Sequence, residues 1–328
     1  MPGPPPAVAR TRVAVRRALA GLAPGSLVLV ACSGGADSLA LAAAAAFTVP
    51  RLGSRAGAVV VDHRLQPHSG EVAERAAGAC RDLGLAPVHL VPVEVPAGDR
   101  PGGPEARARE ARYAALDAVA DREHAAYLLV GHTRDDQAEQ VLLGLARGSG
   151  VRSLAGMPRA RGRVLRPLLD VDRQVTRQAC AAQGLVPWDD PHNEDPAYRR
   201  VRARRLVAEL EEQLGPGIVA GLARSADLLR DDADLLEELA GQAGERLGEP
   251  PWPVDALAAL PRALRTRLLR SLATGAGAPP GSTFAAHVEA IEALVTDWHG
   301  QGPVDLPGGV RVSRRDGRLL AEPHRRVQ

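Results

Sequence analysis

A six-residue segment near the N-terminus has the composition of an anion-binding loop. Its members are Ser33, Gly34, Gly35, Ala36, Asp37 and Ser38. The two glycines carry no Cβ, so the backbone can turn tightly and bring its N–H groups close to a phosphate. Ser33 and Ser38 add hydroxyl donors. A carboxylate beside phosphates is stabilised when a divalent cation lies between them, and we therefore predict that Asp37 binds Mg²⁺.

A pair of carboxylates further along the chain could bind a cation next to this loop. Asp136 and Glu139 are three residues apart, so they share one face of a helix. Such a pair would bind either Mg²⁺ or the ammonium group of an amino-acid side chain, although a solvated acidic helix start has the same pattern. His132 precedes the pair, and it fits either an active-site role or that of a packed core histidine.

Other polar residues are placed where they could contact a nucleotide or a nucleic acid. Asp62 and His63 end a predicted strand, next to the expected position of a nucleoside. Arg112 projects from the helix before the fourth predicted strand, where it could orient a phosphate. A basic group follows Asn193, and we predict that it contacts RNA phosphates, although a solvated helix face explains part of the pattern. Its members are Arg200, Arg202, Arg204 and Arg205.

The first half of the chain alternates short apolar runs with helical patterns. The predicted strands are Leu27–Ala31, Ala58–Asp62, Val88–Val95 and Tyr127–Val130. Strands that are apolar throughout and alternate with helices are typical of a parallel sheet covered on both faces. We therefore predict an α/β fold with a doubly wound, mostly parallel sheet, whose ligands bind beyond the carboxyl ends of the strands.

The second half has a helical period until its small C-terminal strands. Helices are predicted over about 198–213, 218–247, Asp255–Ala273 and Ser282–Trp298, and strands over Val304–Leu306, Val310–Arg314 and Arg318–Ala321. We predict four segments, the last being a small α+β domain. They are 1–22, with a disordered start (Met1–Ala7) and a first helix; 23–195, catalytic; 196–250, a helical linker; and 251–328, the C-terminal domain.

Composition excludes several classes of chemistry. The sequence contains no lysine, so it has neither a Walker A loop nor a Schiff-base lysine for pyridoxal phosphate. Aromatic residues make up 2% of the chain, which weakens any reading as a base-stacking platform. The three cysteines, Cys32, Cys80 and Cys180, are far apart in sequence and imply neither a disulfide framework nor a CxxC metal site. With no signal peptide or membrane span apparent, we predict a cytoplasmic protein.

The loop and several further segments resemble those of one family. SGGADS matches the SGGxDS signature of the N-type ATP pyrophosphatases, and the remaining motifs are similar to those of bacterial tRNA(Ile)-lysidine synthetases over roughly residues 27–245. These motifs are VDHRLQP (61–67), ARYAAL (111–116), GHTRDDQAEQ (131–140), RGSGVRSLAGM (147–157), LLDVDR (168–173) and DDPHNEDPAYRRVRARR (189–205). The chain departs from the family pattern at Arg64, Gln66, Gln140, His192 and Val201, where Gly, Arg, Thr, Ser and Asn are usual.

The resemblance implies a fold, a reaction and its partners. The fold is that of the adenine nucleotide alpha hydrolases, followed by a tRNA-binding C-terminal domain at 251–328. The implied substrates are ATP with Mg²⁺, L-lysine, and the isoleucine tRNA with a CAU anticodon, whose wobble cytidine is adenylated and then joined to lysine. Asp136 and Glu139 are thereby assigned to the lysine, Arg112 to the lysine or a phosphate, and Asn193 with the following arginines to the anticodon stem or the α phosphate. A homodimer is possible.

Two alternatives stay open at this point. A tRNA thiolase would also adenylate a base, but it would use paired cysteines, and here each cysteine is predicted to be a small buried hydrophobe. A non-catalytic RNA-binding relative would retain the fold, but we would expect it to have lost Asp37, Asp136 or Glu139.

Overall fold

The computed structural model describes residues 3–64, 68–94, 103–147, 150–191, 195–279 and 285–324, with the backbone alone at 103–106. The chain forms two compact units. The first comprises Met1–Leu143 and Gly156–Arg224, and the second comprises Gly144–Ala155 and Ser225–Gln328. The finer division into four segments with boundaries at residues 22, 195 and 250 stays a prediction.

Helices and strands alternate through the first unit, as predicted. The helices of the whole chain are α1 Pro6–Ala18, α2 Ala36–Thr48, α3 Ser69–Asp82, α4 Gly103–Arg122, α5 Arg134–Leu145, α6 Val151–Leu154, α7 Arg173–Ala181, α8 Arg199–Leu214, α9 Ile218–Leu247, α10 Val254–Ala258, α11 Arg262–Gly275 and α12 Ala285–Thr296. The strands are β1 Leu27–Ala31, β2 Arg55–Asp62, β3 Val88–Pro92, β4 Tyr127–Val130, β5 Ala160–Arg161, β6 Val164–Leu165, β7 Trp252–Pro253, β8 Val304–Leu306, β9 Val310–Arg315 and β10 Arg318–Pro323.

The first unit is built on a six-stranded sheet with the order β3-β2-β1-β4-β6-β5. Strands β1 to β4 and β6 run parallel, and β5 pairs antiparallel with β6 at one edge. The chain winds from β1 outward to β3 and then returns to β4 on the other side of β1. This confirms the doubly wound α/β prediction and places the topological switch point between β1 and β4.

Strand β1 is buried on both faces, which explains its uninterrupted apolar sequence. Val28 and Val30 pack into a core with Leu41 of α2, whereas Leu29 packs on the opposite face with Leu116 of α4. A strand covered by helices on both sides has no solvent-facing positions for polar residues. The polar residues therefore follow the strands and collect at their carboxyl ends.

Helix α1 begins earlier than the sequence suggested. Pro6 is its first residue and Ala7 is buried, so the expected disorder of Met1–Ala7 is wrong at these two positions. Proline suits the first position of a helix because its ring fixes φ and no N–H is required there. The helix packs against α2 and α7 through Val8, Val15 and neighbouring residues.

The second unit contains α6, α9 from Ser225 onward, α10 to α12 and a four-stranded antiparallel sheet of order β7-β10-β9-β8. The three predicted C-terminal strands are confirmed. The single helix predicted over Asp255–Ala273 is wrong, because α10 ends at Ala258 and α11 begins after Pro261. Proline lacks the N–H for a helical hydrogen bond and so starts a new helix. Within the described ranges, no helix combines the length and apolar character needed to cross a membrane.

Candidate active site

The loop Ser33–Ser38 joins β1 to α2 at the switch point of the sheet. Gly34 has φ +84°, a left-handed conformation that favours glycine, and an added Cβ would lie 3.2 Å from Cβ of Ala76. The Ser38 hydroxyl accepts a hydrogen bond from the Ser33 N–H (3.1 Å) and donates one to the Gly35 carbonyl (2.9 Å). These bonds hold the loop at the N-terminus of α2, where backbone N–H groups can bind phosphate oxygens.

Gly131, which follows β4, lets that strand end approach the loop. An added Cβ would lie 3.1 Å from the Asp37 carbonyl carbon and oxygen and 3.2 Å from the Ser38 Cα. All three atoms belong to the backbone and cannot move aside independently of the loop. The close approach therefore fixes Asp37 relative to the residues after β4.

We predict that Gly131→Ala displaces the loop. The free energy of unfolding should fall by about 1–3 kcal/mol, because the extra methyl group overpacks a backbone contact. Gly78→Ala is the matched control, since an added Cβ there meets nothing within 4 Å and alanine favours the helix α3 that contains it. Urea unfolding followed by circular dichroism measures both. Equal midpoints for the two variants would contradict the proposed contact.

Asp37 belongs to the first turn of α2, and its carboxylate faces the start of α7. Its carboxylate accepts a hydrogen bond from the Thr176 hydroxyl, and its Oδ2 is 3.7 Å from Arg173 Nε. Burial raises the pKa of Asp37 to about 6; Asp136 and Asp135 contribute in the same direction, whereas Thr176 and Arg173 lower it. The carboxylate is thus short of compensating positive charge, and a cation bound beside it would supply that charge.

Asp136 and Glu139 do lie on one face of α5, and a single arginine links them. Arg173 Nη2 donates to Asp136 Oδ1 at 2.9 Å and to Glu139 Oε1 at 3.0 Å. Asp136 also accepts from the N–H (2.7 Å) and hydroxyl (3.0 Å) of Thr133, which precedes the helix. Burial raises the pKa of Asp136, but Arg173 and Arg200 outweigh it, so its pKa lies below the ordinary value.

Arginines from α8 complete the surroundings of Glu139. Arg200 Nε lies 3.2 Å from Oε2, and Arg204 Nε lies 2.9 Å from Oε1. The Glu139 side chain is only 1% exposed as a result. Arg173, Arg200 and Arg204 therefore balance the charges of Asp136 and Glu139. Asp37 has only the more distant Arg173 beside it.

His132 follows β4 and Gly131, next to this cluster. Burial lowers its pKa to about 3, with Arg200, Arg166 and Arg109 acting in the same direction against Asp136. The imidazole is therefore neutral at physiological pH. Its Nδ1 is buried and has no hydrogen-bond partner among the described residues, which leaves it available to a bound substrate.

Asp62 and His63 lie at the end of β2, on the same edge of the sheet. His63 Nε2 accepts a hydrogen bond from Arg112 Nε at 2.9 Å, so the structure brings these two predicted site residues together. Burial and Arg112 lower the pKa of His63 to about 4. Asp62 Oδ1 accepts from the N–H of Arg64 at 3.0 Å and thereby shapes the turn that follows the strand.

The arginines predicted to contact RNA do not form one group. Arg202 donates to the carbonyl oxygens of Pro196 and Ala197, so it fastens the start of its own helix. Arg205 is exposed, whereas Arg200 and Arg204 face Glu139. Asn193 lies outside the described residues.

Sequence reasoning missed two residues of this cluster, Arg173 and Thr176 at the start of α7. The backbone N–H of Arg173 donates to Asp135 Oδ2 at 2.8 Å, so the N-termini of α5 and α7 face each other. The signal available was the run LLDVDR, which ends at Arg173 and carried part of the family resemblance. The sequence separation between Arg173 and Asp136 does not indicate that their side chains meet.

The backbone conformation at Arg64 explains why glycine would suit this position, where the chain departs from the family pattern. Its φ is +51°, a left-handed conformation that costs a side-chain-bearing residue about 1–2 kcal/mol, and glycine is the usual residue there. We expect Arg64→Gly to raise the free energy of unfolding by up to about 1 kcal/mol, part of the gain being offset by the entropy of glycine in the unfolded chain. Urea unfolding measures the change. A lower midpoint would show that the arginine side chain contributes more than the strain costs.

The three cysteines converge beneath the loop despite their distance in sequence. The thiol of Cys32 is 3.7 Å from the Ser38 hydroxyl, and the thiol of Cys180 is 3.3 Å from the Ala36 carbonyl oxygen. All three are buried free thiols, as predicted. Burial raises the pKa of Cys180 to about 11, which disfavours the thiolate.

Comparison with known proteins identifies the class of domain that carries this site. A family model described as a PP-loop domain matches residues 11–211, and a model described as the TilS substrate binding domain matches residues 253–320. A solved U34-tRNA thiolase, NcsA from Methanococcus maripaludis with its [4Fe-4S] cluster, shares the fold at a TM-score of 0.57 and 20% identity, over 68% of this chain and 80% of that one. The chain therefore contains an ATP-binding domain of the PP-loop class.

Relatives over the full length define the family more closely. The chain is 58% identical to a tRNA(Ile)-lysidine synthase of Thermobifida fusca, over 98% of this chain and 99% of the relative. It is 52% identical to the Streptomyces coelicolor tRNA(Ile)-lysidine synthase, over 97% and 99%. The chain belongs to the tRNA(Ile)-lysidine synthase family.

Proposed function

We propose that this protein joins L-lysine to C2 of the wobble cytidine of the CAU-anticodon isoleucine tRNA, with cleavage of ATP to AMP and pyrophosphate. The observation that carries the proposal is the juxtaposition of a phosphate-binding loop with a separate, arginine-balanced carboxylate pair at one edge of the sheet. The loop accounts for ATP, and the carboxylates offer a place for an amine. The names of the full-length relatives support the same reaction.

In the first step, the C2 oxygen of the cytidine attacks the α phosphorus of ATP, and the bond to the β-phosphate oxygen breaks. Pyrophosphate gains negative charge as it leaves. The N–H groups of the loop and the N-terminus of α2 stabilise that charge at the moment it develops. Because these donors are already held by Ser33 and Ser38, little reorganisation is needed.

In the second step, the ε-amine of lysine attacks C2 and AMP leaves. The lysine ammonium would be positioned by Asp136 and Glu139 and must lose a proton before attack. Asp37 or one member of the pair would accept it, whereas His132 is a weak base because its pKa is lowered to about 3 by burial. The neutral imidazole would instead hydrogen-bond the substrate through its unpartnered Nδ1.

Access for lysine requires a rearrangement at Glu139. Arg173, Arg200 and Arg204 already donate to this carboxylate, so a further ammonium group would add positive charge to a balanced cluster. Arg200 and Arg204 lie on α8 and are themselves among the residues predicted to contact tRNA. We infer that RNA phosphates draw one of these arginines away and that lysine takes its place.

We propose that ATP binds together with Mg²⁺ and that Asp37 is the protein ligand of the ion. Among the described residues, no group of three or more His, Cys, Asp or Glu side chains is placed to hold a metal ion. A single carboxylate nevertheless fits Mg²⁺, which commonly binds through one carboxylate together with substrate phosphates and water. The raised pKa of Asp37, caused by burial, is the sign of a site that lacks positive charge. The ion would neutralise the departing pyrophosphate.

The test is lysine-dependent labelling of RNA. Purified protein, unmodified isoleucine tRNA, [¹⁴C]lysine and Mg-ATP should yield acid-precipitable label and AMP in equal amounts. A transcript with the wobble cytidine replaced by uridine is the control and should remain unlabelled. Sulfur transfer from a donor in place of lysine labelling would establish the thiolase alternative, which the burial of all three thiols disfavours. The homodimer stays a prediction, which light scattering with and without tRNA would check.

A further inference from the structure

A basic cleft runs along α1 in the first unit, and neither the loop nor the carboxylate pair contributes to it. Its volume is about 620 Å³, within the range of ligand-binding pockets. Arg10, Ala14 and Arg17 line one wall, since their spacing places them on one face of the helix. Arg159, Arg166 and Asp170 belong to the opposite wall. We call this feature the α1 cleft.

The α1 cleft carries an excess of positive charge. Its lining has four guanidinium groups against one carboxylate, Asp170. Arg159 already engages that carboxylate through both terminal nitrogens, one of them at 2.8 Å. Arg10 is only loosely paired, at 3.9 Å from Asp172. Arg10 and Arg17 are exposed, so their charge is available to an anion entering the cleft.

Arg166 gives the α1 cleft a buried donor. It is 6% exposed, and its Nη1 donates to the carbonyl oxygen of Pro158 at 2.9 Å. Its Nε is buried and has no hydrogen-bond partner among the described residues. A buried guanidinium donor without a partner is uncommon in proteins, because losing its hydration costs free energy. Arg166 thus adds to the lining of the cleft a guanidinium whose hydrogen bonds within the protein are incomplete.

The α1 cleft adjoins the edge of the sheet where the reaction is proposed to occur. Strands β4 and β6 are parallel neighbours, so their carboxyl ends lie side by side. Arg166 follows the end of β6, and His132 lies two residues after the end of β4. The charge of Arg166 also contributes, after burial and Arg200, to the lowered pKa of His132. A polymer that presents a nucleotide at this edge would therefore bring its neighbouring phosphates within reach of the cleft.

We propose that the α1 cleft binds the backbone phosphates of tRNA nucleotides next to the one that reacts. The inference rests on the proposed function. A cleft beside the reaction site can bind phosphates next to the reacting nucleotide only if the substrate is a nucleic acid. Guanidinium groups suit RNA phosphates through charge and paired donors. The aliphatic floor formed by residues such as Val13, Leu165 and Val171 would accommodate a ribose or base, and arginine planes can stack on bases where aromatic side chains are lacking.

The test compares two double variants with the same loss of charge. Arg10→Gln with Arg17→Gln removes two guanidiniums from the α1 cleft. Arg16→Gln with Arg55→Gln is the control. Arg16 lies on α1 outside the cleft, and Arg55 is the first residue of β2, at the amino ends of the parallel strands. Fluorescence anisotropy with labelled isoleucine tRNA measures Kd at several salt concentrations. We expect the cleft variant to bind on the order of tenfold more weakly, with a salt slope reduced by about 1.5–2, while the control matches the wild type.

The outcomes separate this inference from the proposed function. Equal affinities and salt slopes for the two double variants would overturn the role of the α1 cleft, even if lysine is ligated normally. Cleft-dependent tRNA binding without lysine ligation would leave the cleft in place and refute the proposed function. Titration with inorganic phosphate is the remaining arm. Loss of phosphate binding in the cleft variant with unchanged tRNA affinity would identify a small-anion site and overturn the RNA assignment.

Discussion

Asp37→Asn is expected to slow pyrophosphate release by about 10²–10³-fold while leaving the protein folded. If Asp37 holds the cation that accompanies ATP, an amide in its place removes the negative charge that attracts the ion. Losing one transition-state stabilising group at such a site lowers kcat by about 10²–10³-fold. The measurement is tRNA-dependent pyrophosphate release at saturating ATP, with and without lysine. Asp117→Asn, an exposed substitution on α4, is the control.

The same substitution should not reduce stability at neutral pH. Because burial raises the pKa of Asp37 to about 6, above its unfolded value, the folded state disfavours the charged form. At pH 7 the ionised carboxylate therefore costs stability, by an amount on the order of 2–3 kcal/mol from the size of the shift. This cost to stability is absent at pH values below the pKa of Asp37 in the unfolded chain. It reaches its full size at pH values above the pKa of Asp37 in the folded protein. Asparagine avoids it, so loss of activity with an undiminished unfolding midpoint is the expected combination.

Two results would contradict the assignment of Asp37. Pyrophosphate release at the wild-type rate would remove its role with the cation. A large fall in the unfolding midpoint would show that the bonds to Thr176 and Arg173, rather than the cation, are the main reason for a carboxylate at this position. Measuring both quantities on the same preparation separates catalysis from folding.

The fold, and the position of the site residues that follow β1 and β4, can be predicted from local sequence. Strands such as Leu27–Ala31 are apolar at every position because helices cover both of their faces, and that pattern needs no knowledge of distant contacts. The loop glycines and His132 follow strands, and Asp136 lies in the first turn of the helix after β4, so the parallel sheet alone brings them to the carboxyl ends of its strands. Pro261, which divides the helix predicted over Asp255–Ala273, is an equally local signal, because proline cannot continue a helix at that position.

The arginine cluster could not be predicted in the same way. Arg173 meets Asp136 across 37 residues, and Arg204 meets Glu139 across 65, so each contact depends on how α5, α7 and α8 pack. Arg202 and Arg204 look equivalent in the sequence, yet one fastens its own helix and the other reaches a buried carboxylate. The difference arises from which helix face is buried. A sequence pattern alone ranks them equally.

Glu139→Gln is expected to raise the KM for lysine far more than the KM for ATP. The substitution keeps the shape of the side chain but removes the charge that would hold an ammonium group. Hydrogen bonds to charged groups contribute about 1.5–3 kcal/mol, which corresponds to an increase in the lysine KM of about 10–150-fold. The ATP KM should change by less than about threefold, since the loop is untouched. Glu209→Gln, an exposed position on α8, is the control.

The competing role for Glu139 is to anchor α8 through Arg200 and Arg204 without contacting lysine. In that case Glu139→Gln would release two arginines and raise the KM for tRNA, while the KM for lysine would remain at the wild-type value. Breaking a buried ion pair can also cost about 3–5 kcal/mol of stability, so Glu139→Asp is a necessary companion. Aspartate keeps the charge but is one methylene shorter. If lysine binds the carboxylate, this variant should recover part of the lysine affinity that glutamine loses, whereas an anchoring role predicts no such recovery.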